Sequence, residues 1–160
     1  MSDTKTFEKF SKELKALNEE YKGVDSIETI YKLHCKLMKR YGHEPKWLTE
    51  PYDEQNHPTQ EELRSKMLLD MVHCLDSEVS EFRDALPWKH WKNYKPNDMW
   101  FNNDNKLYEG GFELTDMLFF IFEAMILYGF DFTDIKQMYM AKWLENQHRQ
   151  DVGYDKNYKE

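Results

Sequence analysis

Thr59 to Ala85, TQEELRSKMLLDMVHCLDSEVSEFRDA, decides how this chain folds. Leu68, Met71, Val72, Leu75, Val79 and Phe82 recur at intervals of three and four, which puts them on one stripe of a helix. Thr59 followed by Glu62 has the form of a capping box, and Pro87 interrupts the pattern beyond Ala85. The spacing therefore predicts one long amphipathic helix over residues 59–85.

The same reading extends outward in both directions. Downstream, a helix is expected from about Lys106 to Tyr128, with Gly110 and Gly111 weakening its start and Gly129 stopping it. Another is expected from about Thr133 to His148, carrying Ile135, Met138, Tyr139, Trp143 and Leu144. Upstream, Phe10, Leu14, Leu17 and Tyr21 mark a helix over 7–21 that ends at Gly23. Asp25 and Glu28 form a second capping box, for a helix through about Arg40 closed by Gly42. Ile27, Ile30, Tyr31, His34, Leu37 and Met38 share its inward side. Residues 43–58, with Pro45, Pro51 and Pro58, read as a loop, as does most of Trp88–Asn105 beyond a first turn. No strand alternation and no repeat accompany these patterns. The fold class is an all-α helical bundle, and 160 residues make one domain spanning 1–160.

Composition narrows the function. A formal net charge of -8 argues against nucleic-acid binding, and it requires any polyphosphate substrate to be met by metal and local basic groups. Cys35 and Cys74 are far apart and lie on apolar helices, so reduced thiols in a cytoplasmic protein are expected. The longest apolar run, Met117–Phe122, is far short of the roughly 18 residues that would suggest a span.

The chemistry concentrates in Glu78-Val79-Ser80-Glu81 and Glu113-Leu114-Thr115-Asp116. Each acidic pair sits at i, i+3 and projects from one side of its helix. Such pairs are common on solvated faces, but Glu113 shares its face with Met117, Phe120 and Ala124. An uncompensated carboxylate there costs several kcal/mol. A divalent cation removes that cost, and four carboxylates supply the oxygen ligands that magnesium or manganese takes. Two ions so held could bridge phosphate oxygens and activate a water. A di-iron centre would want two Glu-x-x-His motifs on helices, and only Glu145–His148 fits.

Two groups of basic residues complement the acids. Trp88-Lys89-His90-Trp91-Lys92 places indoles beside ammonium groups, suited to a base ring and to phosphate. Lys142, Asn146 and Arg149 share one face of the last helix. A solvated basic helix end is the plainer reading of that face.

Taken together, Glu-x-x-Glu, Glu-x-x-Asp and Lys142-x-x-x-Asn146-x-x-Arg149-Gln150-x-x-Gly153-Tyr154 resemble the all-α dimeric dUTPase family of the MazG-like superfamily, especially its phage dCTP/dUTP pyrophosphatases. The likeness covers roughly the last half of the chain and includes Trp88–Lys92. It implies a homodimer that binds Mg2+ (or Mn2+) through Glu78, Glu81, Glu113 and Asp116, with Glu78 as base. It also implies substrate contacts from Trp88, Lys89, Trp91, Lys142, Asn146 and Arg149, with Tyr154 closing over a triphosphate. Phe119 stands where the family usually has His, and the base-reading stretch Leu33–Met38 offers His34 in place of Gln or Asn. The expected activity is hydrolysis of dUTP, dCTP or both to the monophosphate and pyrophosphate. Another or modified triphosphate, and a non-catalytic helical interaction protein, remain open at this level.

Overall fold

The computed structural model describes residues 8–42, 57–89, 91–96, 99 and 104–152, with the side chains of 57–60 and 152 excepted. Five helices follow in order: α1 Ser11–Glu20, α2 Ser26–Tyr41, α3 His57–Ala85, α4 Asp104–Tyr128 and α5 Phe132–Val152. No strand occurs among the described residues, so the chain is all-α as its periodicity implies. None of these helices is long and apolar enough to cross a membrane. Cys35 and Cys74 are half-buried thiols outside any disulfide.

The ends of α2 follow from local chemistry. The Asp25 carboxylate accepts from the backbone N–H of Ile27 at 2.9 Å and of Glu28 at 3.4 Å. Glu28 does not return the bond; its carboxylate accepts from Lys32 instead. Gly42 closes the helix at φ 70°, the left-handed conformation that side chains resist. Lys136 of α5 reaches the same Asp25 carboxylate at 3.3 Å, so one cap also ties two helices together. The N–H groups of Ile27 and Glu28, then Lys136, hold the Asp25 carboxyl below its usual range. At the α4–α5 turn Gly129 takes φ 98°. Asp131 then accepts from the N–H groups of Thr133 and Asp134, while Asp134 accepts from Asp131. This reciprocal cap went unread in the sequence because Asp stands where Glu is usual.

α3 and α4 form the principal pair, and they run in opposite directions. Phe82 lies against Gly110, the carboxylates of Glu78 and Glu113 come together, and further along Met71 and Leu75 share a cavity with Phe120. The glycines do not delay α4, which begins at Asp104. A Cβ at Gly110 would stand 3.6 Å from Phe82, so the small residue permits a close seam there. α2 packs on α4 and α5, and the core lies at that end: Met38, Ile126 and Leu127 are buried against Met67, Leu68 and Met71.

Several expectations need correction. Pro58 lies in the first turn of α3, not in a loop, at a place where its missing N–H costs nothing. α3 starts at His57, and the Thr59 side chain lies outside the described residues. Ile30, Val72 and Val79 are exposed rather than inward. α5 runs to Val152, beyond His148, yet Ile135 is its one buried apolar residue among those described. Met138, Tyr139, Trp143 and Leu144 lie open to solvent within this chain.

Gly111 and Gly129 make opposite demands. Nothing lies within 4 Å of a Cβ built at Gly111, which is helical, so Gly111→Ala should raise stability by about 1 kcal/mol. Gly129→Ala should lower it by about 1 kcal/mol, because φ 98° strains any side chain. Urea denaturation midpoints of the two variants should move in opposite directions.

Candidate metal centre

The seam between α3 and α4 carries the acidic residues. Glu78 and Glu81 come from α3 and Glu113 from α4, and one carboxylate oxygen from each lies within 4.8 Å of the others. An octahedral magnesium ion with oxygens at about 2.1 Å spans about 4.2 Å between opposite ligands. At least two of the three pairs would be neighbours about 3 Å apart around such an ion, so the carboxylates, now within 4.8 Å of one another, would have to draw in by up to ~2 Å to share it. Ser77 donates to Glu81 at 3.3 Å, steadying its outer oxygen.

Crowding of like charge makes these carboxyls hold protons more tightly. Burial, then Glu81 and Asp116, pushes the Glu78 carboxyl above its usual range. Burial also raises Glu113, followed by the charges of Glu81, Glu78 and Asp116. Asp116 is raised by burial and by Glu81. It stands outside the three-residue group but within reach of its field.

A cavity of about 470 Å³ opens beside this group. Glu78 and Asp116 form its acidic edge, Phe119 and Phe120 its wall, and His34 and Glu123 its far side. His34 is 3% exposed, its ring stands 5.4 Å from that of Phe119, and its Nε2 is 3.8 Å from Glu123 Oε2. Phe119 therefore packs on the one histidine of α2. Glu123 was missed in the sequence. The available signal was its position seven residues after Asp116, two turns along the same face.

In the other direction along the seam lies a polar cavity of about 230 Å³ lined by Trp88, Lys89, Lys92, Tyr94 and Lys106. The Lys89 ammonium stands 5.1 Å from the Trp88 ring centre, and Trp91 meets Trp88 edge to face at 5.6 Å. Lys106 also escaped the sequence reading, although it precedes Glu113 by two turns. Trp91 is 64% exposed and does not line the cavity.

The α5 cations are not brought to the carboxylates. Lys142 and Arg149 both bind Glu145 on their own helix, and they hold its carboxyl below its usual range. Asn146 is exposed beside them. Periodicity placed the three residues on one face correctly, and the same spacing puts Glu145 there too, three residues after Lys142 and four before Arg149. His90 and Tyr154 lie outside the described residues.

The acidic seam makes stability depend on pH in a definite sense. Glu78, Glu113 and Asp116 bind protons more tightly folded than unfolded, so their contribution is fully present below the ordinary carboxylate range and is lost as pH rises through their raised values. Without divalent cations, the melting temperature should rise as pH falls from 7 toward 5. Millimolar magnesium should raise it at pH 7 and flatten the slope. A pH profile indifferent to magnesium would mean that no cation binds there.

Comparison with protein-family models, with curated proteins and with solved structures finds no match to this chain.

Proposed function

We propose that the chain is a magnesium-dependent pyrophosphatase that converts a pyrimidine deoxynucleoside triphosphate, dUTP or dCTP, to its monophosphate and pyrophosphate. One observation carries the reading: the carboxylate group lies between an aromatic cavity and a lysine-rich cavity along a single helix seam. A nucleoside triphosphate has the same order of parts, a flat ring, then phosphates, with growing negative charge away from the ring. Seven residues separate Glu113 from Lys106, about 10 Å of helix, which is within reach of a triphosphate chain.

In this reading Glu78, Glu81, Glu113 and Asp116 hold the cation, which would neutralise phosphate charge and make water a better nucleophile when bound. Glu78 borders both the carboxylate group and the aromatic cavity, and it takes the proton of the attacking water. Lys89, Lys92 and Lys106 receive the pyrophosphate charge as it leaves, and Phe119 and Phe120 exclude solvent from the ring. The work is positioning and charge compensation rather than covalent chemistry.

The surface supports a homodimer. Among the described residues, large apolar side chains lie open: Trp143 and Leu144 on α5, Tyr128 at the end of α4 and Val72 on α3 are all more than half exposed. Pairing would cover these residues and bring Lys142, Asn146 and Arg149 near the second copy's carboxylates, where Glu145 would yield them to phosphate.

Two experiments test this. Pyrophosphate release should require magnesium and favour pyrimidine deoxynucleoside triphosphates. Glu113→Gln should lower it about a hundredfold or more, by the measure of single electrostatic groups in comparable sites. Without metal the variant should melt no lower than the wild type, since one of the repelling carboxylates is neutral. Full activity, or a loss of metal-free stability with an intact magnesium response, would make Glu113 a structural residue. Light scattering at micromolar concentration should report the mass of a dimer, and a structure of that dimer should show an interface above about 2,000 Å².

A further inference from the structure

We infer that His34 of α2 and Glu123 of α4 form a binding site for a divalent transition-metal ion of the zinc class, separate from the carboxylate group that suits magnesium. The site stands or falls independently of the hydrolase reading.

The far end of the 470 Å³ cavity holds an arrangement that packing alone does not explain. His34 is 3% exposed, it lines the cavity, and its Nε2 makes no hydrogen bond. A buried nitrogen in that condition is costly. Glu123 Oε2 stands 3.8 Å from it. That separation exceeds the roughly 3.2 Å limit of a hydrogen bond. It does suit two atoms that share one metal ion. With bonds of about 2.1 Å, two ligands of zinc lie about 3.4 Å apart at the tetrahedral angle and about 4.2 Å apart when opposite. The pair falls between these limits, so neither helix has to move. A carboxylate accepts at about four lone-pair positions, and Glu123 can give one of them to a metal while its other contact persists.

Ligand chemistry then chooses the ion. An imidazole nitrogen with a carboxylate oxygen suits zinc, cobalt and nickel, whereas magnesium takes oxygen. The two ends of the cavity therefore differ: Glu78 and Asp116 offer oxygen alone, and His34 adds nitrogen. The local field favours a cation, since the described lining carries three carboxylates and neither lysine nor arginine. Two protein ligands leave the remaining positions to water, for which the cavity has room. An ion held there ties α2 to α4 and gives the His34 nitrogen a partner.

The test is zinc binding, by calorimetry and by melting temperature, with millimolar magnesium present to occupy the carboxylate group. Wild type is compared with His34→Phe, Glu123→Gln and Glu113→Gln. Zinc at about ten times its Kd should raise the wild-type melting temperature by about 3–6 °C. Cobalt(II), bound in place of zinc, should show visible absorption bands that His34→Phe removes. His34→Phe keeps an aromatic ring beside Phe119 and deletes the buried nitrogen, so without zinc it should melt no lower than the wild type. Its zinc affinity should nevertheless fall about tenfold or more, as should that of Glu123→Gln. Glu113→Gln, which disables the magnesium centre, should keep the zinc response. Equal zinc binding by wild type and His34→Phe, or its loss in Glu113→Gln alone, would place the ion at the carboxylates and overturn the site. A wild type that binds no zinc would overturn it outright. Should His34→Phe fail to fold, Glu123→Gln set against Glu113→Gln still decides.

Discussion

Repulsion among carboxylates at the α3–α4 seam is the constraint around which the rest of this molecule is arranged. Among the described residues these two helices form the most extensive contact, and Glu78 and Glu113 converge within it. Like charges at that separation and partial burial oppose the pairing of the very helices that carry them. The seam is closed above and below by neutral packing: Phe82 on Gly110 at one side, Met71 and Leu75 toward Phe120 at the other. Apolar contact thus holds in place an acidic group that would otherwise part. Burial and mutual repulsion raise the proton affinity of Glu78 and Glu113 at that place.

The fold was legible in the sequence because its signals are local. Asp25, Gly42 and Gly129 each set a helix end by their own backbone chemistry, and apolar spacing located α3 and α4 to within two residues at each end. What failed was the inference from spacing to burial. Val72 and Val79 keep helical spacing with Leu75 and Phe82 but remain exposed, because one flanking helix covers only part of a wide stripe. α5 is the extreme case. Its apolar residues point in several directions, and within one chain only Ile135 finds cover.

The site divides along the same line. Glu78, Glu81 and Glu113 could be read because each acidic pair lies within a single turn of helix, and their mutual approach needed only that α3 and α4 pair. Glu123 and Lys106 belong to the same helix as Glu113 but lie ten and seven residues from it. A solitary charge at such a distance looks like solvated surface until the third dimension places it. His34 was legible as an inward histidine but not as an unsatisfied one, since hydrogen-bond partners come from another helix.

One charge balance links these observations. The chain carries -8 overall, and the α5 cations of a single copy are held by Glu145. Among the described residues of one copy, the lysines lining the seam cavity are Lys89, Lys92 and Lys106, with Asp84 beside them, too few to offset both the carboxylates and the proposed triphosphate. Divalent cations would supply part of that deficit at the carboxylates. The remainder points to Lys142 and Arg149, whose hold on Glu145 is exposed and therefore weak. A phosphate group offers a stronger partner than a solvated carboxylate on the same helix. In the proposed dimer, exchange of Glu145 for phosphate would be favourable if a second copy brought α5 to the seam, and the same apposition would cover Trp143 and Leu144. Exposed apolar surface and the missing positive charge would then share one remedy under that proposal.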